Sequence, residues 1–167
     1  MKRLLFVALM LGTILVQVTW APRLTIAGVF PNLALVAVIA VTWTGGVRSG
    51  LVWGCVAGLM LDLTAPGPLG PHAVALLACA YLTGFCTRNV DPESVVHPML
   101  AAAAGTAAYS TILVGADDTL GLPVPPLGIA FQLLVAASLY NAVLMPVALL
   151  LIRRRGGAAS TMRASSD

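Results

Sequence analysis

The chain has 167 residues, of which 59% are hydrophobic and 9% charged, and its mean hydropathy is +0.97. Soluble domains carry about 45–50% apolar and about 25% charged residues, so the charge here is too sparse to solvate a folded surface in water. Disorder, which needs few hydrophobics and much charge, is excluded as well. What remains is an integral membrane protein, read as one compact domain with no separate soluble module. Its net charge of +3 comes from scattered basic residues that form no stripe for nucleic acid.

A membrane-crossing helix takes about 20 mostly apolar residues, within about 17–25, and six stretches approach that length. The first covers residues 4–21, with Thr13, Gln17 and Thr19 as its polar members. The second covers 24–44 and is interrupted by Pro31 and Asn32, so its continuous part, 33–43, is short. Residues 24–30 then either lie at the interface or enter as a broken piece. The third covers 49–63, the fourth 72–87, the fifth 95–114 and the sixth 127–152. Short spans require a thinned bilayer or burial against neighbours, which predicts an all-α, compact bundle of about six transmembrane helices. The second and third helices are expected to form a tight hairpin turning at Thr44, Gly45, Gly46 and Val47, where glycine accepts backbone angles that other residues avoid. Residues 1–155 make up this single domain, and 156–167 (GGAASTMRASSD) read as a disordered cytoplasmic tail.

Basic residues are held on the cytoplasmic side of a membrane. With six spans and both termini inside, Lys2, Arg3, Arg48, Arg88, Arg153, Arg154, Arg155 and Arg163 are cytoplasmic, and Arg23 alone lies outside. An odd number of spans would misplace Arg153, Arg154 and Arg155. Trp20 and Trp43 then fall at the interfacial depths that indole rings favour. Lys2 and Arg3 before an apolar run resemble a signal peptide. Proline follows the only small residue, Ala21, and no Ala-x-Ala pattern precedes it, so an uncleaved first span is expected.

The sharpest local pattern is Gly46, Gly50, Gly54 and Gly58. At helical spacing these draw one ridge without side chains, and such ridges let backbones approach closely in membranes. The ridge serves packing within the bundle, contact with another protein, or glycophorin-like dimerisation. Four residues on comes Asp62, near the outer end of the third helix and on the same close-packed side. Three roles compete for it: a cap accepting from backbone N–H groups of residues 64–67, a bond to a polar partner inside or outside the chain, or titration in a transport cycle. The loop behind it, APGPLGP, carries three prolines and the glycines Gly67 and Gly70, and is a stiff connection or a docking surface.

Cys55, Cys79 and Cys86 lack CxxC spacing and read as small buried hydrophobes. His72 and His97 fall at opposite membrane faces and share no metal; no cluster has ligand spacing. Asp117 and Asp118 read as a solvated outer turn, and Asp91 and Glu93 suit the dipole at the start of the fifth helix. Asn141, near mid-membrane, requires a hydrogen-bond partner, across helices or at backbone freed by Pro146. No nucleophile–base constellation and no phosphate-cradling loop is present, and no cofactor is expected.

The order of motifs carries a further inference. Pro31-Asn32-Leu33 opens a short helix, Gly45-Gly46-Val47-Arg48 makes a turn, GLVWGCVAGLMLDL follows, and PGPLG precedes an alanine-rich helix. This order resembles the bacterial rod shape-determining protein MreD family, as do Ser138-Leu139-Tyr140-Asn141-Ala142 with a nearby proline and the closing arginine cluster. The resemblance implies a non-enzymatic component of the cell-elongation complex in the bacterial cytoplasmic membrane. It implies binding of the scaffold MreC and, indirectly, support of RodA, a class B penicillin-binding protein and MreB. It also implies a fold similar to the substrate-binding subunit of energy-coupling-factor transporters, which makes a vitamin-type transporter subunit the rival reading. By this resemblance Gly50, Gly54, Gly58, Asp62, Gly70 and Asn141 match family positions, in roles of packing and partner contact.

Overall fold

The computed structural model describes residues 12–17, 19, 31–65, 67–87, 94 and 96–164, with side chains through Ile152. Among these residues the fold is all-helical, with no strand. After a helical piece at residues 12–17 come α1 (Leu33–Thr64), α2 (Pro71–Cys86), α3 (Val96–Thr119) and α4 (Leu127–Ala164). Expectations for Trp20, Arg23, residues 24–30, Arg88, Asp91 and Glu93 fall outside the described residues.

Helix α1 is two helices joined at a sharp break. Gly46 has φ 81° and ψ 168°, a left-handed φ that glycine alone adopts without penalty. The halves, Leu33–Gly45 and Val47–Thr64, fold back on each other, because a Cβ on Gly50 would overlap Thr42 Oγ1. The expected hairpin is therefore present, and Gly46 is its hinge rather than part of the ridge. α1 packs chiefly against α2, and α3 against α4.

Three helices are long and apolar enough to cross a membrane: Val47–Thr64, Val96–Thr119 and Leu127–Ile152. Leu33–Gly45 and Pro71–Cys86 are apolar and shorter. The distribution of side-chain size fits a lipid solvent. Large apolar residues such as Leu63, Leu82, Phe85, Leu100, Phe131 and Leu139 face outward. The interior is rich in small ones, among them Ala34, Ala40, Ala57, Ala75, Ala80 and Ala102, packed around Leu35, Ile39, Leu76 and Met145. Lipid tails are as apolar as leucine, so burying leucine gains little in a bilayer, and close backbone approach supplies the attraction instead.

The glycine ridge is spent on this approach. A Cβ at Gly54 would stand 3.2 Å from Leu76 O, and one at Gly58 would lie 2.7 Å from Ala73 N, so both glycines seat α2 against α1 backbone to backbone. Gly84 receives Val47, and Gly105 receives Ile39 with only 2.6 Å left for a Cβ.

Two boundaries differ from the sequence reading. The apolar run of the fifth span predicts an end near residue 114, with Asp117 and Asp118 in a solvated turn. They instead lie in the last turn of α3. Gly121, at φ 68°, closes that helix: its N–H donates to Asp118 O at 3.1 Å, and Leu122 N–H to Asp117 O at 2.9 Å. This pair of bonds around a left-handed residue is the Schellman termination. The helix α4 continues through residues 156–164, where composition predicts disorder. Of the cysteines, Cys79 is buried, Cys55 half-buried and Cys86 exposed, so burial holds fully for Cys79 alone.

Because the Gly58 site is closed by backbone, Gly58→Ala is expected to destabilise the bundle by about 1–3 kcal/mol, the usual cost of overpacking. Gly115, with open space around it, should accept alanine with no loss. Thermal unfolding of the two variants in detergent checks the contrast.

Candidate functional site: a polar layer and a cleft at one end of the bundle

Helix N-termini leave backbone N–H groups unbonded, and in hydrocarbon no water is present to satisfy them. Two helices of this bundle begin among other helices, and both starts are capped by side chains brought from elsewhere.

At the start of α2, Pro71 lacks an N–H, and Gly70, the N-cap residue, offers no side-chain acceptor. Asp62, at the end of α1, supplies both oxygens. Oδ1 accepts from His72 N at 2.9 Å and Oδ2 from Ala73 N at 3.1 Å. Asp62 is 4% exposed, and its charge faces the positive end of the α2 dipole. Its partners are thus not residues 64–67, as a local turn would have it. The loop returns the chain so that α2 starts beside Asp62, and Gly70, at φ 123°, makes that return.

At the start of α1, three side chains cap one terminus. Asn32 Oδ1 accepts from Leu35 N at 3.0 Å, Gln17 Oε1 from Leu33 N at 2.6 Å, and Asn141 Oδ1 from Asn32 N at 3.0 Å. Asn141 Nδ2 donates to Thr106 Oγ1 at 3.0 Å, and Thr106 Oγ1 donates to Ala102 O at 2.7 Å. Asn141, 1% exposed, thereby ties α4 to α1 and α3, and it does not use backbone freed by Pro146. Buried Thr42 bonds within its own helix, to Val38 O at 2.7 Å, which satisfies it without a partner helix, whereas Ser138 Oγ is buried with no hydrogen-bond partner.

These two caps meet at one end of the bundle. The rings of His72 and Tyr109 lie 6.0 Å apart between centroids, tilted by 36°, and His72 Nδ1 is buried with no hydrogen-bond partner. Above them lies a cavity of about 1050 Å³, at the upper limit of the about 300–1,000 Å³ typical of small-molecule sites. Its walls are one face of α3, with Thr106, Tyr109 and Leu113, and one face of α4, with Phe131, Leu134 and Ala137.

The sequence-identified residues therefore separate into groups. Gly54 and Gly58 lie on the α1–α2 seam, Gly50 lies between the two halves of α1, Gly46 and Gly70 make turns, Asp62 caps α2, and Asn141 reaches the cavity floor. His97 is exposed near the start of α3, about 18 Å along the helix axis from Tyr109, so the histidines are apart as expected. The roles of Gln17, Asn32, Thr106, Tyr109 and His72 were not read from sequence. Asn32 carried a visible signal, a capping residue before an apolar run; the others did not. Among the described residues no group of three His, Cys, Asp or Glu could hold a metal. Comparison with known protein families, curated proteins and solved structures finds no match for this chain.

Asp62→Leu orphans two buried N–H groups, each costing about 1–3 kcal/mol, whereas Asp62→Asn keeps one acceptor. Asp62→Leu is expected to lose the folded protein, and Asp62→Asn to retain it with a lowered melting temperature. Equal losses would assign the charge itself the essential role. Asn141→Leu frees Asn32 N and Thr106 together, so its melting temperature should fall below that of Asn141→Asp, which keeps the acceptor for Asn32 N.

Proposed function

We propose that this chain is an MreD-like, non-enzymatic membrane component of a bacterial cell-elongation complex, binding an MreC-like scaffold and through it supporting peptidoglycan synthases. The motif order from Pro31 to Pro71 carries this reading. The place of those motifs supports it: Gly54, Gly58, Asp62 and Gly70 spend their backbone access, hydrogen bonds and turn geometry on seating α2 against α1. Residues engaged in holding helices together suit an adaptor that presents a fixed surface to a partner. Outward-facing apolar residues on α3 and α4, such as Leu100, Leu139 and Val143, give a partner helix van der Waals contact without polar cost. The bias of lysine and arginine supports a multi-pass arrangement in the cytoplasmic membrane with both termini inside.

The rival, a vitamin-type transporter subunit, draws on the cavity between α3 and α4. At its floor Asn32, Thr106 and Asn141 bond one another, and the lining joins apolar residues such as Leu113, Phe131 and Leu134 to polar ones such as Gln17, His72 and Ser110. The floor amides are already bonded to groups of the bundle itself, and on the motif order we favour the adaptor.

Detergent pull-down from native membranes with a C-terminal tag, followed by mass spectrometry, tests the choice. An MreC-like scaffold with cell-wall synthases is the expected catch. ATPase subunits with a coupling membrane protein, and no cell-wall enzymes, would overturn it.

A further inference from the structure

The connection from α3 to α4 and the first turn of α4 are exposed and apolar. Leu120, Leu122, Val124, Leu127, Ile129 and Phe131 are exposed by between 39% and 89%, and no charged residue occurs between Asp118 and Arg153. A contiguous set of large apolar side chains at the surface marks a contact with protein or with membrane.

The backbone sets a second condition. The Pro126 carbonyl accepts from Ala130 N at 2.9 Å, which makes Pro126 the N-cap of α4, and a proline ring carries no acceptor. The N–H groups of Leu127, Gly128 and Ile129 therefore receive no bond from their cap. The starts of α1 and α2 are held by side chains, but the start of α4 is open. Leu127 is 89% exposed, and a Cβ on Gly128 would meet nothing within 4 Å. Open N–H groups need water, which hydrocarbon lacks.

Side chains that avoid water and N–H groups that require it are reconciled in the headgroup layer. Helix lengths agree. Leu127–Ile152 extends about 39 Å at about 1.5 Å per residue, and at the average tilt of about 20° it covers about 37 Å of depth. The hydrocarbon core takes about 30 Å, and one headgroup layer adds about 5–7 Å. With Arg153 at the inner boundary, α4 thus begins among the outer headgroups. Val96–Thr119 covers about 34 Å by the same measure, so both ends of the connection come to that layer.

We propose that residues 120–131 form a lipid contact, with Leu122, Leu127 and Phe131 set into the boundary between headgroups and acyl chains. Pro123, Pro125 and Pro126 leave Val124 as the one backbone donor of residues 123–126, which gives a partner strand little to bond. The lipid contact rests on the bundle crossing a bilayer and not on the adaptor role.

The test places the full-length protein, one copy per disc, in nanodiscs of synthetic phospholipid. Leu122→Cys, Leu127→Cys and Val143→Cys, at exposed positions, each carry a fluorophore in a background of Cys55→Ala and Cys86→Ala, Cys79 being buried. Quenching is read with iodide in water and with lipids bearing a nitroxide near the headgroup or at the chain end. For insertion of about 5–10 Å, iodide should quench at Leu122 and Leu127 about threefold less than it quenches the same fluorophore on glutathione. The shallow nitroxide should quench both positions more than the deep one. Val143 lies about 15 Å from Arg153 along the axis, at mid-core, and should show the reverse order. Iodide quenching at Leu122 and Leu127 equal to that of the glutathione conjugate, with Val143 still deep, would put the connection in water and overturn the lipid contact alone. Deep quenching strongest at Leu127 would also overturn it, by burying the start of α4 in hydrocarbon. Protection that appears only when membrane extract is added would assign the surface to a protein instead. Val143 open to iodide would overturn the bilayer crossing, and the lipid contact with it.

Discussion

A backbone N–H that starts a helix buried among other helices has no water to bond, and the rest of this structure follows from how two such starts are satisfied. The start of α2 is held by Asp62 from the end of α1. The start of α1 is held by its own Asn32, by Gln17 upstream and by Asn141 from α4. Each cap requires its donor helix to stand at one position, so the caps fix neighbours as well as satisfy groups. Asn141 extends the effect to α3 through Thr106. The order of packing around α1 is in this sense an answer to a hydrogen-bond requirement, with side-chain attraction contributing second.

Close packing then becomes possible because the seams are small. Gly54 and Gly58 admit the α2 backbone, Gly105 admits Ile39, and Gly84 admits Val47. Bulky apolar side chains are displaced to the outside, an arrangement that suits a lipid surround. The pattern fails over the first half of α4, where the wall facing α3 is set back and a cavity remains.

The polar atoms that draw the eye in this chain are engaged in architecture. Asp62 and Asn141, the two side chains most costly to bury in hydrocarbon, have their partners in the backbone and in Thr106. A protein whose buried polar groups are used in this way offers partners a rigid shape, which accords with an adaptor.

Much of this was legible in the residues themselves. Composition pointed to helices apolar enough to cross a membrane, since only 9% of the residues are charged, and three helices of that length and character are present. Apolar runs located the helices, and Gly45-Gly46 located the hairpin, since a break in backbone angle is a local property. Gly121 carried the signal that ends α3, and reading Asp117 and Asp118 as loop overlooked how far a helix runs before such a glycine. The tertiary structure alone decided what Asp62 and Asn141 bond. Their partners lie 10, 11, 35 and 109 residues away, and a sequence states what a buried carboxylate or amide needs without stating which helix will be beside it. The same holds for the glycine ridge, whose spacing announces close approach while the approaching backbone, Ala73 and Leu76 of α2, is chosen by the packing. Hydrogen-bond demand is a property of a residue; its satisfaction is a property of neighbours that only folding brings together.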